Sequence, residues 1–199
     1  MKKRIYLFCN ETYGNTYFKI FQEFAGKYSN FEYYVVFSSK GISVRFFNRI
    51  TSLIKHPIKC AFKCYRWIIC RKNGLKLTVV EDVNCNNFVE SIPIGSIGFI
   101  AGFNQIFRKP IIDRFSLFIN FHPSLLPYYR GAIPSYWVIK NKETITGFTA
   151  HIVSEEIDSG EIVYQELVEV NRDILEAELD CKIAAVGSYY FRECLKAIM

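Results

Sequence analysis

The sequence predicts an α/β chain built on a doubly wound, mostly parallel sheet. Two observations carry this. The chain opens in β-α-β order, with a short apolar run, an amphipathic stretch and a second run rich in Tyr, Val and Phe. Two later runs, Ile97 to Gly102 and Phe115 to Phe121, are continuously or mostly apolar, as buried strands are.

Taken in order, Arg4 to Cys9 reads as a buried first strand, followed by a polar loop from Asn10 to Asn15. Thr16 to Lys27 has apolar residues at helical spacing and ends in Gly-Lys. Glu32 to Phe37 is the second strand, and Leu75 to Val80 the third. Asn84 to Ser91 suits a short helix, and Ile97 to Gly102 a buried strand. Pro110 to Arg114 suits a helical turn ahead of the strand Phe115 to Phe121. Ile133 to Asn141 reads as a helix with Pro134 in its first turn. Phe148 to Val153 and Ile162 to Val168 are strands, and Asp173 can cap a last helix running to about Met199. The pattern is Rossmann-like. There is no internal repeat and no low-complexity linker, so residues 1–199 are expected to form a single domain with a basic segment at 40–76.

That segment holds ten Lys or Arg, and no acid occurs between Glu32 and Glu81. Two readings stay open for it. It is a solvated helix face with Ile58, Phe62, Trp67 and Ile69 packing inward, or a field that attracts an anionic partner. His56 within it is read as a surface residue.

The chain is 199 residues long and 50% apolar, which suits one well-cored domain and excludes a disordered chain. Met1 to Arg4 is basic, but the apolar run after it is too short for a signal peptide, and no stretch suits a membrane span. A cytoplasmic protein is expected. The seven cysteines lack paired metal-ligand spacing, so they are read as reduced and no metal is expected.

The chemistry concentrates in Asn120-Phe-His-Pro-Ser-Leu-Leu-Pro-Tyr-Tyr-Arg-Gly131 and in Glu155-Glu-Ile-Asp-Ser-Gly160. Asn120 and His122 are i and i+2 on a strand, so they share a face at its carboxyl end, where open α/β sheets bind ligands. Asp158 precedes Ser159-Gly160, a tight turn that fixes its direction, and a nearby carboxylate is expected to raise the pKa of His122. Amide, imidazole and carboxylate together suit acyl transfer: an oxyanion donor, a proton carrier and a charge partner. Each also has a plainer reading, as a strand-end tie, a structural histidine and one of a run of solvated acids. Ser124 lacks the surroundings of a nucleophile.

These segments resemble the 10-formyltetrahydrofolate-dependent formyltransferases. That family includes methionyl-tRNA, glycinamide ribonucleotide and sugar-nucleotide N-formyltransferases. The resemblance runs from about Ile97 to Val168 and implies the formyltransferase fold. It implies that His122 is the general acid/base, that Asn120 holds the formyl oxygen, and that Asp158 relays the amine's proton through water. It further implies a pterin pocket lined by Asn104, Gln105, Ile106 and Phe107, closed on its other side by the loop with Val153 and Ile157. The bond before Pro127 is cis in relatives and expected to be so here. Arg130 is left open as structural or as an acceptor contact, and His151 is read as support for the site wall.

The implied formyl donor is 10-formyltetrahydrofolate, and the acceptor a small-molecule amine. A nucleotide sugar is preferred, because the first loop, Cys9 to Asn15, is not Gly/Ser-rich and carries Glu11 where glycinamide ribonucleotide enzymes hold a phosphate. Methionyl-tRNA enzymes carry a further C-terminal domain, whereas this chain ends on one predicted helix. Nucleic acid is therefore not the expected partner, with tRNA the minority alternative. A non-catalytic folate-binding protein of the same fold is the reading from another class. Oligomeric state stays open, a homodimer included.

Overall fold

The structure is a computed structural model that describes residues 2–10, 12–39, 70 and 74–199. The basic amphipathic helix expected at 58–72 lies outside the described residues apart from Cys70. The strands are β1 (Arg4–Cys9), β2 (Glu32–Ser38), β3 (Leu75–Val80), β4 (Ser96–Ala101), β5 (Phe115–His122), β6 (Ile145–Ile152) and β7 (Ile162–Glu169). Among the described residues the helices are α1 (Gly14–Lys27), α2 (Asn86–Ser91), α3 (Lys109–Ile112), α4 (Pro134–Lys140) and α5 (Glu176–Ile198).

The seven strands form one sheet in the order β3-β2-β1-β4-β5-β6-β7. Pairings from β3 through β5 are parallel, and β6 and β7 are added antiparallel. The chain winds outward from β1 in one direction and then, from β4, in the other. The loops after β1 and β4 therefore part above the sheet and open a crevice at the strands' carboxyl ends. Asn10 spans its base: its N–H donates to Ala101 O at 3.3 Å, and its Oδ1 accepts from Gly14 N at 2.8 Å. That second bond starts α1 at Gly14, ahead of the expected Thr16.

Each face of the sheet is covered. One carries α1, α4 and α5 over Leu7, Phe99, Ile119 and Phe121. There Tyr17 stacks on Phe121 at 5.1 Å, and Phe191 of α5 meets the same ring edge-on at 5.3 Å. The other face carries α2 and α3 over Phe8, Ile100 and Phe118, with Phe107 in the same cluster. Burying each large apolar side chain contributes about 1.5–3 kcal/mol, so both faces hold β5 firmly.

α5 starts at Glu176, with Leu175 and not Asp173 at its N-cap. The Glu178 carboxylate reaches back to accept from Leu175 N at 3.3 Å, satisfying a donor that Asp173 was expected to serve. Among the described residues, no helix is long and apolar enough to cross a membrane.

Candidate active site

β5 turns one sequence into two surfaces. Ile119 and Phe121 enter the core on one face, while Phe118, Asn120 and His122 line the other. Phe118 belongs to the apolar cluster, and the two polar residues continue its row beyond the cluster's edge. His122 is only 4% exposed, so its chemistry takes place out of bulk water.

Antiparallel β6 brings a further group into place: its register sets His151 opposite Asn120 and Thr149 opposite His122. The chain then leaves β6 at Val153, whose N–H donates to Phe118 O at 2.9 Å, and loops back to Ile152, whose N–H donates to Glu161 O at 2.9 Å. The hydroxyls of Ser154 and Ser159 both reach Glu156 O, at 2.9 and 3.0 Å, and fasten the loop. Gly160 is required there, since a Cβ would lie 1.8 Å from Ile152 O. Asp158 itself takes a left-handed conformation with φ 49°, which an Asp tolerates better than most residues.

Asp158 sits at the centre of the resulting cluster. Its Oδ2 accepts from Gly131 N at 2.7 Å and lies 3.4 Å from His122 Nδ1. Its Oδ1 accepts from Asn120 Nδ2 at 3.1 Å and lies 3.4 Å from His151 Nε2. The hydrogen-bond network assigns the imidazole tautomers. His122 Nε2 faces Tyr129 O at 2.9 Å, and a carbonyl can only accept, so Nε2 carries the hydrogen and Nδ1 faces Asp158. His151 Nδ1 donates in the same way to Ile152 O at 2.9 Å.

Burial pushes the His122 pKa below its ordinary value of 6.5, outweighing the opposing pull of Asp158 and of the bond to Tyr129. This corrects the expectation that the carboxylate would raise it. Desolvation wins because the ring is sealed beneath residues 123–131. Burial pushes the Asp158 carboxyl up, but His151, His122 and the Gly131 N–H together outweigh it, and its pKa lies below the ordinary 3.8. At neutral pH the pair is a carboxylate beside a neutral imidazole whose free lone pair faces it.

The segment over His122 is lashed to the sheet. The Leu126–Pro127 bond is cis. Thr149 Oγ1, on a fully buried side chain, donates to Ser124 O at 2.6 Å and accepts from Leu126 N at 3.1 Å and Gln165 Nε2 at 3.0 Å. Ser124 Oγ donates to Tyr128 O at 2.7 Å and so braces its own loop. Tyr129, with φ 58°, is pinned through its hydroxyl to Glu143 and Asn141, which aims its carbonyl at His122. Arg130 is an exposed partner of Glu156 at 3.9 Å.

The residues expected around a pterin divide. Phe107 is buried against Phe8 and Phe118, with ring centroids 5.0 and 5.1 Å apart. The Gln105 amide is spent on structure, accepting from Val83 N at 3.0 Å and donating to Ser38 Oγ at 2.6 Å and Glu81 O at 3.1 Å. It thereby ties the loop after β4 to the ends of β2 and β3. Asn104 and Ile106 are exposed in that loop, and Ile106 O accepts from Asn84 Nδ2 at 2.9 Å. Val153 packs against the cluster that holds Phe107, and Ile157 is exposed. A cavity of about 310 Å³ between Leu125, Leu126, Tyr128 and β7 includes none of these side chains. Among the described residues, no group of three or more His, Cys, Asp or Glu could hold a metal ion.

His151 is the member of the cluster whose place the sequence left undefined. Its position depends on the β5–β6 register, a long-range property. The only local signal was a histidine in a predicted strand.

Comparison with known proteins gives the same picture. The Formyl transferase family matches residues 96–195, from β4 to the end of α5. Methionyl-tRNA formyltransferase of Acetivibrio thermocellus is 40% identical over 130 residues, which are 64% of this chain and 42% of that protein. The matched stretch thus spans under half of that relative's length. Among solved structures, phosphoribosylglycinamide formyltransferase from Anaplasma phagocytophilum superposes with a TM-score of 0.70 at 20% identity, covering 100% of this chain and 87% of that one. A sugar 3-N-formyl transferase, solved in the presence of dTDP and 5-N-formyl-THF, gives 0.68 at 21% identity, covering 100% and 63%. At such identities the structures speak for the fold, whereas the sequence match across half the chain, including Asn120, His122 and Asp158, settles the family: the chain belongs to the formyl transferases.

Proposed function

We propose that the protein transfers a formyl group from 10-formyltetrahydrofolate to a primary amine, most specifically the amino group of a nucleotide-linked sugar. The observation that carries this is the contact of one carboxylate, Asp158, with both Asn120 and His122 at the carboxyl end of β5. The donor supplies an activated formyl group on N10 of the folate. Exposed Ile106 and Ile157, on the loops after β4 and β6, provide apolar surface for its pterin end.

Asn120 Nδ2 donates to the formyl oxygen as negative charge develops there, a contribution of about 3–4 kcal/mol in comparable sites. The incoming amine forms a C–N bond at the formyl carbon and becomes acidic. Its proton passes to His122 Nδ1, directly or through water held by Asp158, and the resulting imidazolium is stabilised by that carboxylate. The protonated Nδ1 then gives the proton to N10 as the C–N10 bond breaks. The Nε2–H bond to Tyr129 O holds the ring throughout, so Nδ1 is the working nitrogen. The reaction needs neither a metal nor a covalent enzyme adduct.

Support for a nucleotide-linked amino sugar comes from the sequence of the first loop, which is not Gly/Ser-rich and carries Glu11, and from the fold shared with a sugar 3-N-formyl transferase. Methionyl-tRNA is the second reading, favoured by the identity to the Acetivibrio thermocellus enzyme. The test is tetrahydrofolate release from 10-formyltetrahydrofolate with nucleotide-linked amino sugars, glycinamide ribonucleotide and methionyl-tRNA in parallel. Rapid release with the sugars alone is expected. Release only with methionyl-tRNA would transfer the proposal to the second reading. Tight folate binding with no release would leave a non-catalytic binding protein.

A further inference from the structure

We propose that His151 is a positioning residue that fixes the Asn120 amide, so that one N–H is held by the enzyme and the other is left for the formyl oxygen. The inference deepens the proposed formyl transfer and rests on it for its kinetic part.

The argument begins with the acceptors around Asn120 Nδ2. His151 Nε2 lies at 3.0 Å and Asp158 Oδ1 at 3.1 Å. Those two acceptors are themselves 3.4 Å apart, so the three atoms form a nearly equilateral triangle. They subtend roughly 70° at Nδ2, far short of the ~120° between the two N–H bonds of a planar amide. Two straight hydrogen bonds are therefore excluded. In the arrangement we propose, one N–H points between both acceptors and is shared, which leaves the second for the formyl oxygen.

His151 is set to accept. It is 2% exposed and directly opposite Asn120 in the β5–β6 register. Its Nδ1 donates to Ile152 O at 2.9 Å, so in the neutral ring Nε2 carries a lone pair. That lone pair would face the Asp158 carboxylate across 3.4 Å with nothing between them, but for the shared Asn120 hydrogen. The same pair forbids the flipped amide, which would set Asn120 Oδ1 against two acceptors. With Asp158 alone, one N–H would align on the carboxylate and the second would swing with it. The second acceptor, on a strand, sets the amide plane and hence the direction of the free N–H. A donor misaimed by a fraction of an ångström loses much of its value for a developing oxyanion.

Two measurements test this. The first needs no turnover: ¹⁵N NMR of the imidazoles in the resting protein. His151 is expected as the Nδ1–H tautomer with a bare Nε2, and Asn120→Ala should shift the Nε2 signal. A hydrogen on Nε2, or a signal indifferent to Asn120→Ala, would overturn the geometry. The second is a kinetic cycle. His151→Phe, which keeps a ring in the site, should lower kcat about tenfold, the size expected for one net hydrogen bond, with donor KM within about twofold. His151→Gln, whose Oε1 can accept where Nε2 did, should restore most of the rate. In an Asn120→Ala background, His151→Phe should cost nothing further. An equal loss in both backgrounds would show that His151 acts on the fold and not through Asn120. If the wild-type protein formylates no amine, the proposed reaction fails, while the NMR result still decides the arrangement.

Discussion

Replacing Thr149 with Val should destabilise the protein through two groups the hydroxyl now satisfies. The swap keeps the shape and deletes one buried oxygen. That oxygen donates to Ser124 O at 2.6 Å and accepts from Leu126 N at 3.1 Å. Gln165 Nε2 also loses it but keeps Leu126 O at 2.8 Å. Thr149 and Ser124 are 0% exposed and Leu126 5%, so water does not replace the lost partner. Each buried group left unpaired costs about 1–3 kcal/mol, and the added methyl opens no cavity. The sum is roughly 2–6 kcal/mol, against about 5–15 kcal/mol for a typical domain. In urea unfolding followed by circular dichroism, the midpoint should fall by about 1–3 M for a slope of about 2–3 kcal/mol/M. Thr149→Ser keeps the hydroxyl and should lose about 1 kcal/mol or less. A midpoint for Thr149→Val within about 0.3 M of wild type, or a larger loss for Thr149→Ser, would refute the reasoning.

Three further outcomes are expected. The His122 ring should titrate below 6.5 by NMR, because burial favours its neutral form. The unfolded chain then binds more protons between the folded value and about 6.5, so stability is full above that range and falls as pH drops through it; titration at or above 6.5 would contradict this. Gly187→Ala in α5 should destabilise by about 1–2 kcal/mol in the same urea assay. The Cβ would lie 2.2 Å from Tyr17 Oη and 2.4 Å from Phe148 Cε2, and the strain exceeds the roughly 1 kcal/mol helix gain of Ala over Gly; a raised midpoint would sink the claim. Only 10-formyltetrahydrofolate should serve as donor, and transfer from formyl-CoA, or from formate with ATP, would break the folate reading.

What the sequence revealed followed the range of the interaction concerned. The doubly wound sheet was legible because its strands are short apolar runs, and Asn120 and His122 were placed by an i, i+2 rule within one strand. Asp158 was legible as a candidate through its Ser-Gly turn, whose Gly160 the backbone of Ile152 demands. β6 was expected from Phe148 but begins at Ile145. Gly147 lies in the part that was not expected, where a Cβ would meet Glu166 O at 2.3 Å and Leu125 at 2.4 Å. The contribution of His151 and the structural use of the Gln105 amide depend on pairings between distant strands and loops, which local pattern does not encode. The sign of the His122 shift was misjudged because the partner charge was visible in sequence and the burial was not.

The central claim is that Asn120, His122 and Asp158 form the chemical centre of formyl transfer. It is tested most directly by single-turnover rates of formyl transfer from 10-formyltetrahydrofolate to the best amine acceptor in Asn120→Ala, His122→Ala and Asp158→Ala. Each variant should keep its fold by circular dichroism and lose about 100-fold or more in rate, the scale of oxyanion and proton-transfer roles. A folded variant that transfers formyl at near the wild-type rate would remove its residue from the reaction, and three such variants would place the chemistry elsewhere.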